Sequence, residues 1–131
     1  MHLKTILLLF SLAATSSGVI YLDESPMEVA TKVQAQLDAY VRTKYRAGAL
    51  SMFMGGFVYE DCEGMKYGRD TFVDFAMKTS ATGQVYEARA DKHYVIYKVK
   101  YWKSAKEFMI SKQVPGWFFE KGQELLCVHI E

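Results

Sequence analysis

The stretch HYVIYKVKYW, residues 93–102, constrains the fold more than any other part of this chain. Val95, Tyr97, Val99 and Tyr101 fall on one face of the run, and Tyr94, Ile96, Lys98, Lys100 and Trp102 on the other. Period-two alternation of this length is the pattern of a long β-strand, whose successive side chains point to opposite sides. Either face satisfies the alternation as the buried one. The flanking residues supply partners. TGQVYEARADKHY reads as a preceding strand that turns at Ala90-Asp91-Lys92, and WKSAKE turns the chain back into FMISKQV. Pro115-Gly116 breaks that strand, and GWFFEKGQELLCVHI offers a further hairpin around Lys121-Gly122.

The front half carries helical spacing instead. Ser25-Pro26-Met27-Glu28 combines an N-cap serine, a proline that fits the first turn and a glutamate three residues after the serine, which together form a capping box. Val29, Val33, Leu37, Val41 and Tyr45 then recur every fourth residue, with Ala30 and Tyr40 beside them, as one apolar stripe. Gly48 is the expected break, and ALSMFM a short second helix or turn before Gly55-Gly56. FVYE reads as a strand, and GRDTFVDFAMK as a shorter helix with Phe72, Phe75 and Ala76 on one side. Helices followed by a run of strands predict an α+β domain rather than alternating α/β.

Residues 1–18 do not belong to that domain. A basic stub, MHLK, precedes the apolar run TILLLFSLAA and the small residues TSSG, which is the layout of a signal peptide. Cleavage near Ser17 or Val19 is expected, leaving one secreted, extracellular domain over residues 19–131. No later apolar stretch reaches the roughly eighteen residues of a spanning helix, so no stable membrane insertion is expected after cleavage. Losing Lys4 with the leader brings the 16 Lys and Arg down to parity with the 15 Asp and Glu. A neutral domain gives no electrostatic basis for nucleic-acid binding. Nine Tyr, eight Phe and two Trp supply the apolar mass of an ordered core.

Cys62 and Cys127 are the only cysteines, and an oxidising compartment predicts a disulfide between them. There is no CxxC motif, and His93 and His129 stand apart from any second ligand at useful spacing, so neither a metal nor another cofactor is expected.

The order of elements resembles the nuclear-transport-factor-2-like superfamily, the cone-shaped fold of ketosteroid isomerases, scytalone dehydratases and SnoaL-like polyketide cyclases. The stretch that carries the resemblance is FVYEDCEGMKYGRDTFVDFA: a strand ending in acidic residues, a turn, a glycine with a basic follower, and an aromatic-rich helix. The leader and cysteine pair are similar to those of small secreted, uncharacterised members. Cystatin-like folds also lay one helix before an antiparallel sheet, but they lack the helix at residues 69–78, and this chain lacks their inhibitory glutamine-valine-glycine loop. The resemblance implies a long N-terminal helix and shorter helices packed on a curved antiparallel sheet. It also places Asp61 at the position of the isomerases' general base, with Tyr40, Tyr45, Tyr97 and Tyr101 as candidate pocket residues and oxyanion donors. The strand at 93–102 offers no second oxyanion acid. Glu60, Asp61 and Glu63 are three acids within four positions, a crowding that more commonly marks a solvated turn.

Three functions follow from these readings. The wealth of Tyr, Phe and Met favours a pocket for a small apolar or aromatic ligand. A homodimer or other interaction module would use the outer sheet face, with Tyr94, Ile96 and Trp102 exposed. An isomerase, dehydratase or cyclase would use Asp61 as its base.

Overall fold

A computed structural model describes residues 24–79, 81–114 and 116–127; the expected leader lies outside them. Helix α1 spans Pro26–Arg42 and is capped as the sequence predicts: Ser25 Oγ accepts the Glu28 N–H at 3.1 Å, and the Glu28 carboxylate accepts the Ser25 N–H at 2.9 Å. Val29, Val33, Leu37 and Val41 are buried, together with Ala30. Two polar residues, Gln34 and Asp38, are buried on the same face.

The helix ends before Gly48. Thr43 is its C-cap, and Lys44 takes the left-handed turn at φ 60°. Tyr45 therefore leaves the apolar stripe and is 56% exposed. Gly48 lies inside the short helix α2, Arg46–Leu50, where a Cβ would stand 2.7 Å from both the Tyr40 and Tyr45 rings. It is needed there for close packing of that edge-on aromatic pair, not as a break.

Strand β1 runs Phe53–Glu60, straight through Gly55-Gly56, and is followed by β2, Lys66–Gly68. Helix α3, Arg69–Thr79, buries Phe72 and Val73 and leaves Phe75 68% exposed. Strands β3 (Gln84–Asp91), β4 (Tyr94–Tyr101), β5 (Ser104–Gln113) and β6 (Gly116–Glu124) complete a curved sheet in the order β2-β1-β6-β5-β4-β3. The sheet is mixed rather than antiparallel throughout, because β6 returns beside β1 and pairs parallel to it.

Val95, Tyr97 and Val99 are fully buried, which settles the inner face of β4. Ile96, which the interaction-module reading takes as exposed, is also buried, while Trp102 is 84% exposed in the turn after β4. No hairpin forms at Lys121-Gly122. Strand β6 continues through it, and Gly122 pairs with Phe108 at a point where a Cβ would lie 2.7 Å from the Phe108 ring. The aromatic core of Phe53, Phe57, Tyr59, Phe72, Tyr97, Phe108 and Phe119 sits between the inner sheet face and the helices. Cys62 and Cys127 form a disulfide across a separation of 65 residues.

Candidate functional site

A cavity of about 400 Å³ opens between the helices and one end of the inner sheet face. Leu37, Asp38 and Val41 of α1 form one side, and Thr71, Phe72, Phe75, Ala76 and Thr79 of α3 another. Tyr101, Ser104, Lys106 and Glu124 come from β4, β5 and β6, while Tyr59, Asp61, Tyr67, Ala81 and Trp102 complete the lining. Its surface is mostly apolar, although polar side chains from every wall contribute to the lining.

The first group is a charged cluster on the sheet. Lys106 and Glu124 are direct cross-strand partners, with Lys106 Nζ donating to Glu124 Oε1 at 2.8 Å. The Tyr59 hydroxyl donates to the same oxygen at 2.5 Å and accepts from Lys106 at 3.0 Å. Ser104 Oγ donates to Glu124 Oε2 at 2.9 Å. Burial pushes the Glu124 carboxyl up, but the Lys106 ammonium and the Tyr59 and Ser104 hydroxyls outweigh it and hold the group below the ordinary glutamate range. Burial, and then the adjacent Glu124 acceptor, push the Tyr59 hydroxyl far above the ordinary tyrosine range, so it stays a donor.

The second group is buried behind the cavity. Gln34 Nε2 donates to Asp38 Oδ1 at 2.9 Å and to the Tyr101 hydroxyl at 2.8 Å, and Gln34 Oε1 accepts from the Tyr97 hydroxyl at 2.7 Å. Asp38 Oδ2 accepts the Gly83 N–H at 3.0 Å. Burial raises the Asp38 carboxyl above its ordinary value despite these two donors.

Asp61 stands at the cavity edge, half-buried, and its oxygens are occupied. Oδ1 accepts the N–H groups of Glu63 and Met65, each at 2.9 Å, and Oδ2 accepts the Tyr67 hydroxyl at 2.7 Å. The Tyr67 hydrogen bond is the main cause of a carboxyl held below its ordinary value, which makes it a weaker base. Of the four tyrosines singled out from the sequence, only Tyr101 lines the cavity. Tyr97 is fully buried beneath it on Gln34, because it lies mid-strand on the inner face of β4, which is paired on both sides by β3 and β5. Tyr40 and Tyr45 pack on each other over Gly48, outside the lining.

Lys106, Glu124, Gln34 and Asp38 were not singled out by the sequence. Gln34 and Asp38 had a signal: they fall four and eight residues after Ala30, inside the apolar stripe. Lys106 had one too, since it shares period two with Phe108 and Ile110, both fully buried. Among the described residues, no group of His, Cys, Asp and Glu could hold a metal, and no helix is long and apolar enough to cross a membrane.

No protein-family model matches the chain, and neither does any curated protein. Solved structures do match. An NTF2-like protein from Cytophaga hutchinsonii superposes with a TM-score of 0.58 at 10% identity, over 74% of this chain and 94% of that one. A domain of unknown function with a cystatin-like fold from Nostoc punctiforme gives 0.59 at 14% identity, over 82% and 81%. A Ca/calmodulin-dependent kinase II association domain, so assigned by inference, from Exiguobacterium sibiricum gives 0.54 at 11% identity, over 80% and 95%. The chain has the nuclear-transport-factor-2-like fold.

Proposed function

We propose that this protein is a secreted domain that binds a small, largely apolar molecule in the cavity between α1, α3 and the sheet. The reading takes residues 1–18 as a removed signal peptide and 19–131 as the mature domain. The disulfide fits an oxidising compartment. The observation that carries the function is the cavity itself: about 400 Å³, with Leu37, Val41, Phe72, Phe75 and Ala76 in its walls and a surface that is mostly apolar. That combination is typical of ligand pockets.

Two measurements test it. Native mass spectrometry of protein secreted by its own cells is expected to show a bound small molecule. Lipophilic probes at about 100 times their Kd should stabilise the fold by about 2.7 kcal/mol. Ligand-free chains together with an unchanged melting temperature would retire the reading.

A second reading, self-association through the outer sheet face, draws on a depression there in which Val58, Ile96 and Met109 lie among charged residues such as Glu60, Arg89 and Lys121. A monomer in light scattering at high concentration would remove it.

A further inference from the structure

We propose that the rim of the cavity docks reversibly on the surface of a neutral, zwitterionic membrane, with Trp102 and Phe75 as its anchors. The inference rests on the ligand-binding reading above and names the source of the ligand. An apolar molecule partitions out of water into lipid, so a membrane is its reservoir.

Trp102 and Phe75 stand on different elements, both contribute to the cavity lining, and both are open to solvent, at 84% and 68% exposure. A side chain that lines a cavity and is also mostly exposed lies at its opening. Met65 and Leu126 are exposed too, and they belong to segments that supply the lining. The Met65 N–H closes a turn on the lining residue Asp61, and Leu126 follows the lining residue Glu124 by two positions. Large apolar side chains clustered in this way mark a contact surface, unlike the same residues scattered singly.

The fold does not account for Trp102. Tyr101 pairs with Ser104, so β4 and β5 are joined by the two-residue turn Trp102-Lys103, in which Lys103 takes φ 69°. Such turns favour Asn, Asp and Gly. Here one position holds a Trp that contributes little to the core, and the other a Lys in the left-handed region. The Lys103 ammonium lies 4.7 Å from the centre of the Trp102 ring. Trp is favoured at membrane–water interfaces, where its ring sits at headgroup level, and an ammonium beside it meets the lipid phosphates.

Charge complementarity selects a neutral surface. Lys103 and exposed Lys78, next to the lining residue Thr79, balance Asp61 and exposed Glu63. Lys106 and Arg46 are already paired with Glu124 and Asp74. An anionic surface would lose to the two carboxylates what it gained from the two lysines, whereas zwitterionic headgroups present both signs.

Co-sedimentation of the secreted protein with phosphatidylcholine vesicles tests the proposal. Wild type is expected to bind, with no gain from added phosphatidylserine. Trp102→Ala and Phe75→Ala should each weaken binding about tenfold, the worth of partly burying one large apolar side chain, with the melting temperature little changed. Val114→Ala is the control, because Val114 is exposed but lies outside the lining, and it should bind as wild type does. Trp117→Phe leaves Trp102 as the only tryptophan, and brominated lipid is expected to quench its emission on docking. That quenching decides alone if an alanine variant does not fold. No binding to phosphatidylcholine, no quenching, equal losses in all three alanine variants, or tighter binding to vesicles containing phosphatidylserine would overturn the docking and leave the cavity a binding site. A dimer that Trp102→Ala dissociates would assign the rim to a second copy and overturn it likewise. Vesicle binding by a protein that carries no small molecule and takes up no lipophilic probe would overturn the ligand-binding reading, and the lipid reservoir with it.

Discussion

Lys106 and Glu124 face each other across β5 and β6 as registered partners, Nζ 2.8 Å from Oε1, within a cavity whose walls are mainly apolar. Their side chains keep only 22% and 15% of their exposure, making this a more buried ion pair than Arg46–Asp74 at 49% and 53%. Lys106→Met leaves Glu124 charged and short of its strongest donor. The cost should be about 2 kcal/mol, below that of breaking a fully buried pair because some solvent remains. Adding Glu124→Gln should recover part of it, and urea unfolding of the single and double variants measures both.

The same carboxylate sets a pH dependence. The folded-state value of Glu124 lies below its ordinary 4.5, so its contribution to stability is present above that pH and is lost as pH falls below it. Glu124→Gln should flatten the acid limb of stability against pH. Asp38 acts in the opposite sense: its raised value means that protonation favours the folded form, so its unfavourable contribution appears as pH rises. Denaturation midpoints across the acid range check both signs.

Replacing Cys62 and Cys127 by serine opens a closure of 65 residues. The chain-entropy account predicts a loss of about 4 kcal/mol, read as a lower urea midpoint. The disulfide lies beside Asp61 and three residues beyond Glu124, so probe affinity should fall in the same variant.

Gly122→Ala should cost about 1–3 kcal/mol by overpacking, because its Cβ would lie 2.7 Å from the Phe108 ring and 3.1 Å from the Tyr59 ring. Moving Tyr59 should also weaken probe binding. Gly55→Ala is the control: nothing lies within 4 Å of its Cβ, and its effect should be much smaller.

Asp61→Asn and Asp61→Ala separate the roles of this residue. If the turn is its role, Ala should lower the melting temperature more than Asn, because Asn keeps an acceptor for the Glu63 and Met65 N–H groups. A general base would instead show abolished turnover of an enolisable ketone in Asp61→Asn with the fold intact.

Much of the fold was legible because it rests on local rules. The Ser25 and Glu28 capping box, the Val29 to Val41 stripe and the alternation through Val95, Tyr97 and Val99 each follow from spacing along one element. Gly48 reads as a break in the sequence but is helical, because glycine signals a break and a close approach equally well. Only the Tyr40 and Tyr45 rings decide between the two, and they meet over it in three dimensions. Lys121-Gly122 was misread for the same reason, with Phe108 as the deciding neighbour.

The sequence by itself determined the helices, most strands and the cysteine pair, because cap chemistry, periodicity and residue count act within short stretches or need no geometry. The tertiary structure decided the site. Phe119 pairs with Ile110 and Lys121 with Met109, so Glu120 is an extra residue in β6. That bulge reverses the alternation, and Glu124 arrives on the inner face opposite Lys106 instead of pointing away. The parallel pairing of β6 with β1 then brings Tyr59 to the same carboxylate. Register between strands distant in the chain fixes these contacts, and no pattern within a single strand encodes it.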